Sequence, residues 1–121
     1  MSMKLTNREE QIMDYLWEHG PSFVKDIISS FEDHKPHYNT ISTIVRNLEM
    51  KRVVDHEDFG STYRYFAVIS KEDFVKSNLK RDVKKYFGNS YKSLVSSLVE
   101  SNDLTIEEIR ELIELAKNKP Q

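Results

Sequence analysis

The chain has 121 residues, of which 38% are hydrophobic and 31% charged, with no cysteine and a formal net charge of -2 at pH 7. This suffices for one compact core, or for a small domain of about 70 residues with a helical appendage, and the apolar content excludes a disordered chain. Without cysteine there are no disulfides, thiolate metal sites or cysteine nucleophiles. The start Met1 to Leu5 has no apolar signal core, and no later apolar run approaches the roughly 18 residues of a membrane span, so a cytoplasmic protein without membrane insertion is expected.

Thr6-Asn7-Arg8-Glu9 has the spacing of a capping box. It predicts a first helix, with Ile12, Met13, Leu16 and Trp17 on its apolar side and Gly20-Pro21 as its stop. Val24, Ile27, Ile28 and Phe31 predict a second amphipathic helix, opened by Ser22. Glu32 to Pro36 reads as a polar turn. The i, i+3, i+4, i+7 stripe Ile41, Ile44, Val45, Leu48 then predicts a third helix, from Tyr38 to Lys51. The period changes next from 3.6 to 2. The β-branched and aromatic runs at 53–57 and 62–68 flank Asp58-Phe59-Gly60-Ser61, predicting a hairpin with a four-residue connection. Ser70-Lys71-Glu72-Asp73 opens a fourth helix that ends at Gly88-Asn89-Ser90. Leu94, Val95, Leu98 and Val99 mark a fifth, and the capping box Thr105 to Glu108 starts a sixth, with a frayed tail from Lys117.

Three helices followed by a hairpin are the parts of a winged helix-turn-helix. The expected fold is therefore mostly α with a small β-hairpin: a winged helix-turn-helix DNA-binding domain over 1–70, followed by a helical dimerisation region over 71–121. At 100° per residue, the stripe on the third helix leaves Asn39, Thr43, Arg46 and Met50 facing the other way, with Thr40 and Ser42 on the flanks. Asn39, Thr40, Ser42, Thr43 and Arg46 form a short hydrogen-bonding row without an acidic residue. Such a row suits the major groove, where Arg engages guanine O6 and N7 and Thr meets the thymine methyl. Lys51, Arg52, Tyr63 and Arg64 are candidates for phosphate contacts. Residues 1 to 70 hold 8 Lys and Arg against 11 Asp and Glu. Nucleic-acid contact must thus come from local placement of cations rather than from a basic surface, and the acidity favours the alternative of a winged-helix protein-interaction module without sequence-specific DNA binding.

The four histidines, His19, His34, His37 and His56, form no i, i+4 metal motif, and no phosphate loop, catalytic triad or carboxylate pair occurs. No metal, cofactor or enzymatic activity is expected. The stretch from Phe74 to Ala116 holds more large apolar residues than three short helices can hide against themselves. Phe74, Val75, Leu79, Val83, Phe87, Leu94, Leu98, Ile109, Leu112 and Ile113 are accordingly expected to face a second copy, which would set two reading helices about 34 Å apart on a two-fold DNA site.

Over essentially the whole chain the sequence resembles the penicillinase-repressor family of winged-helix repressors. The carriers are Leu5-Thr6-x-x-Glu9 through Leu16-Trp17, Gly20-Pro21-Ser22-Phe23-Val24-Lys25-Asp26-Ile27, Asn39 through Leu48, Tyr65, and Leu104-Thr105-Ile106-Glu107-Glu108-Ile109-x-x-Leu112. The resemblance implies a homodimer on a dyad operator that blocks transcription, with Thr40, Ser42 and Thr43 in the reading segment. It also implies, as a further partner, the membrane-bound sensor whose signal leads to proteolysis of the family's β-lactam repressors. The chain departs from the family pattern at Asn47, where the family has Arg, at Arg52, where it has Gly, and at Ser61, where it has a basic wing residue. The family's Asn-Phe cleavage site aligns with Ser97-Leu98, and the paired cysteines of the copper-responsive branch are absent.

Overall fold

A computed structural model describes residues 4–32 and 34–120. Asp33, inside the expected polar turn, and the ends 1–3 and 121 lie outside the described residues. The elements in chain order are α1 (Asn7–His19), α2 (Val24–Ser29), α3 (Tyr38–Met50), β1 (Val54–Phe59), β2 (Thr62–Ala67), α4 (Lys71–Tyr86), α5 (Tyr91–Glu100) and α6 (Ile106–Asn118). The chain divides into two compact units, Met1–Asn78 and Leu79–Gln121, with the division inside α4.

In the first unit, α1 starts at the expected capping box. The Thr6 hydroxyl accepts from the Glu9 amide at 3.1 Å and the Glu9 carboxylate accepts from the Thr6 amide at 2.9 Å. Gly20 stops the helix with φ 79°, a conformation that costs an L side chain about 1–2 kcal/mol. α2 is shorter than the sequence suggests and is not opened by Ser22. Its start is held by the Asp26 carboxylate, which accepts from the Phe23 amide at 3.2 Å. Ser22 instead exchanges two 2.8 Å backbone hydrogen bonds with Tyr65, adding a one-residue third rung to the hairpin. α3 ends in a Schellman motif, with the Arg52 amide on the Glu49 carbonyl and the Val53 amide on that of Leu48. Arg52 has φ 66° there, the left-handed conformation that favours glycine, which accounts physically for the family's Gly at this place.

The hairpin connection has two residues, not the expected four. Asp58 pairs with Tyr63 and Phe59 with Thr62, leaving Gly60-Ser61 as the turn. Gly60 has φ 61° while Ser61 keeps a negative φ, as in a type II′ turn. The extra rung is supported by the Phe59 ring, which packs edge-on against Phe23 at 5.6 Å and lies 4.6 Å from the Arg64 guanidinium. The core is one cluster that includes Ile12, Met13, Leu16, Ile27, Ile41, Val45, Leu48, Val54, Tyr65 and Phe74. Trp17 ties the start of α4 to α1: its ring lies 5.4 Å from that of Phe74, and its Nε1 donates to the Ile69 carbonyl at 2.9 Å.

In the second unit, α4 ends with Gly88 and Asn89 both at positive φ, and α5 ends in a second Schellman motif at Asn102, φ 63°. α6 opens at the Thr105 capping box and retains Lys117 and Asn118, which the sequence reading assigns to a frayed tail. Neither α5 nor α6 buries a residue, and among the described residues they pack only sparsely on each other. No helix among the described residues is long and apolar enough to cross a membrane.

Candidate nucleic-acid interface

α3 is anchored by Ile41, Val45 and Leu48, each 0% exposed, and the opposite row comes to the surface: Asn39, Thr40, Thr43 and Arg46 are exposed and Ser42 is half-buried. Met50, at the far end of that row, is 80% exposed. The first turn of α3 has no acidic residue, and the N-cap His37 makes no side-chain hydrogen bond there. The Thr43 hydroxyl donates to the Asn39 carbonyl at 2.8 Å, which leaves its lone pairs and methyl as the groups it can offer. Arg46 reaches back to Ser42 through Nε and Nη2, both at 3.4 Å. Contacts this long are near the limit of hydrogen bonding and leave the guanidinium free to turn outward.

Beside this row the wing closes a cleft of about 250 Å³, with Tyr38, Ser42 and Arg46 on the helix side and Ser61, Thr62 and Tyr63 on the hairpin side. Tyr38, half-exposed at the head of α3, is a residue that sequence reasoning missed. Its spacing from Ile41 and Val45 sets it towards the apolar side of α3, and the closure of the hairpin brings it into the cleft.

The expected phosphate-contacting cations divide. Lys51 Nζ lies 2.8 and 2.9 Å from the two oxygens of Glu9, which is 5% exposed, so its charge faces a buried carboxylate. Burial alone would push the Glu9 carboxyl up. The hydrogen bonds from Lys51 and Thr6 and the Lys51 charge outweigh it and hold the carboxyl below its usual value. Arg64 donates to Glu57 at 3.0 Å and covers the Phe59 ring. Arg52 is exposed, and no salt bridge engages it among the described residues. The Tyr63 ring lies tilted against that of His56 at 4.3 Å between centroids and remains half-exposed.

Although no metal spacing appears along the chain, the fold brings Glu49 at the end of α3 together with Asp55 and His56 of β1, with one ligand atom of each within 4.8 Å of the others. The hydrogen bond of His56 Nδ1 with Glu49 at 2.9 Å, followed by the charges of Glu49, Asp58 and Asp55, holds this imidazole above its usual value against the opposing effect of burial.

Of the ten apolar residues expected at a subunit contact, two are covered within one chain. Phe74 belongs to the core of the first unit against Trp17, and Val83 is 1% exposed, so both are corrected from contact residues to interior ones. Their position on the apolar side of α4 could not tell intrachain from interchain burial. Val75, Leu79, Leu98, Leu112 and Ile113 are exposed, and Phe87, Leu94 and Ile109 are half-buried.

Three helices closed by an antiparallel hairpin, with the third helix presenting a polar row beside that hairpin, define a winged helix-turn-helix domain. The hsRosR–S4 complex contains a chain of similar fold, with a TM-score of 0.55 at 16% identity over 83% of this chain and 90% of that one. The profile of the penicillinase repressor family matches residues 5–118, and the chain belongs to that family. Its relatives include the methicillin resistance regulatory protein MecI of Mammaliicoccus sciuri, 24% identical over 96% of this chain and 95% of the relative. Another is the penicillinase repressor of Bacillus licheniformis, 23% identical over 93% and 88% respectively.

Proposed function

We propose that this member of a repressor family acts by binding DNA as a homodimer, the two copies of α3 reading successive major-groove faces of a dyad operator. The observation that carries the reading is the division of α3 into an apolar stripe buried at Ile41, Val45 and Leu48 and an exposed row of Asn39, Thr40, Thr43 and Arg46, flanked by Ser42, with no carboxylate in the row. In this reading the row meets base edges, Arg46 pairs with guanine, and Arg52 and the Tyr63 hydroxyl meet phosphates. Lys51 and Arg64 hold the reader together instead. Residues 1–70 are the reader and 71–121 the dimerisation region, whose contact is formed by Val75, Leu79, Phe87, Leu94, Leu98, Ile109, Leu112 and Ile113. Helices that bury nothing in one copy gain a reason to be ordered when a second copy covers them, at about 1.5–3 kcal/mol for each large apolar side chain removed from water. Release from the operator through a membrane-bound sensor and proteolysis at Ser97-Leu98 is not part of this reading, since the family's Asn-Phe pair is replaced there.

The net charge of residues 1–70 favours a second reading, a protein-interaction module. Selection of bound fragments from genomic DNA, followed by anisotropy titration at several salt concentrations, separates the two. A reader enriches a two-fold sequence and binds it more weakly as salt rises, with a slope near -0.9 per phosphate contact. An adaptor enriches no sequence.

A further inference from the structure

We propose that Glu49, Asp55 and His56 form a binding site for one first-row divalent cation of the zinc type, linking the last turn of α3 to the first strand of the wing. The three side chains offer two carboxylate oxygens and one imidazole nitrogen, all within 4.8 Å of one another. His56 Nδ1 lies 2.9 Å from Glu49 Oε1 and 4.0 Å from Asp55 Oδ1. Ligands held by bonds of 2.0–2.2 Å around a tetrahedral ion stand roughly 3.3 Å apart, a value these two distances straddle, so small side-chain movements suffice. The mixed nitrogen and oxygen set, with positions left for water, suits zinc and its neighbours better than calcium or magnesium, which prefer oxygen alone.

The surroundings favour a dication. Glu49, Asp55 and Asp58 all lie within 4.0 Å of the imidazole of His56, and none of the three makes a salt bridge to a Lys or Arg among the described residues. Three carboxylates thus share one imidazole, which carries at most a single positive charge. The ring is flanked by two tilted aromatic neighbours, Tyr63 at 4.3 Å and Tyr65 at 5.8 Å between centroids. Asp55 Oδ1 is fixed by the His56 amide at 2.8 Å. Asp58 Oδ1 lies 3.9 Å from Nε2, close enough to accept a hydrogen bond from the N–H of the non-ligating nitrogen after a small rotation, the usual partner of a metal-bound histidine. Because α3 carries the exposed row and β1 begins the wing, a cation here would fix the angle between them.

The test uses the full, tag-free chain freed of metal, titrated with zinc ions by calorimetry while the four histidine rings are followed by NMR. One zinc per chain is expected, with the His56 ring resonances shifting in the unmodified protein. Glu49→Gln and His56→Gln are each expected to weaken binding at least tenfold, Asp58→Asn about tenfold, and His19→Gln not at all. Absence of saturable binding, an unmoved His56 ring at saturation, or undiminished affinity in His56→Gln would overturn the site. The ring shift is read on the unmodified chain and so decides the matter even where a variant folds poorly.

Discussion

Replacing Lys51 by Met separates a structural role from a DNA-contacting one. Lys51 approaches both oxygens of Glu9 at 2.8 and 2.9 Å and is about a third exposed, whereas Glu9 is buried and, among the described residues, has Thr6 as its other side-chain partner. Losing a charged hydrogen-bond donor to a buried carboxylate costs about 1.5–3 kcal/mol, and solvent screening of the half-open lysine places the expected loss near the lower end, about 1.5–2 kcal/mol. For a unit of this size that lowers the melting midpoint by on the order of 10 °C. Trp17, the single tryptophan, lies against Phe74 in the same core and reports the unfolding at fixed protein concentration. The Glu9 carboxyl sits below its unfolded value of 4.5, so its contribution is complete above that pH and is lost as pH falls through the lower folded value. In the variant, burial is no longer opposed by Lys51 and pushes the carboxyl up. The stability gap between the two proteins should therefore be widest near neutral pH and close in acid. The salt slope of operator binding should stay unchanged. A midpoint within about 2 °C of the parent, together with a salt slope lower by about 1, would instead place Lys51 on a phosphate and refute the ion-pair assignment.

Arg52→Gly should leave stability unchanged or raise it by up to about 1 kcal/mol in urea unfolding, because glycine accepts φ 66° freely, while the salt slope of DNA binding drops by about 1. Phe74→Ala should cost about 3–4 kcal/mol in the Trp17-monitored transition, and a loss of dimer without a loss of stability would contradict its place in the core. Leu112→Glu, at a side chain 51% exposed in one chain, should give monomers by sedimentation with the Trp17 environment unchanged, since a charge cannot be buried unpaired between copies.

Helix types and starts were legible wherever the signal was local. The capping boxes at Thr6 and Thr105 and the 3.6-residue stripe of α3 each bind residues three or four apart, and each forms as spaced. Features set by distant partners were not legible. Ser22 resembles a helix cap, but its backbone pairs with that of Tyr65 and its hydroxyl donates to the Gly20 carbonyl. The hairpin turn is two residues tighter than its sequence suggests, and it sets Phe59 against Phe23, a contact the hairpin segment does not reveal. The outward row of α3 could be read from angle alone. The engagement of Lys51 by Glu9 and the meeting of Glu49 with His56 arise only when α3 packs between α1 and β1. A cation in the sequence is therefore a weaker indicator of a ligand than an uncharged polar row, because folding can supply the cation with a carboxylate.

The most direct test of the reading helix is an anisotropy titration of the parent chain and of Arg46→Ala against a selected operator and single-base variants of it. Arg46 is exposed and, among the described residues, bound by two 3.4 Å contacts to Ser42, so the variant should melt like the parent. It should lose about 1–3 kcal/mol of binding to the selected site and cease to distinguish one guanine position in each half-site. Equal discrimination by the two proteins at every position would remove Arg46 from the base contacts. Equal binding of all sequences by the parent chain would contradict the repressor reading itself.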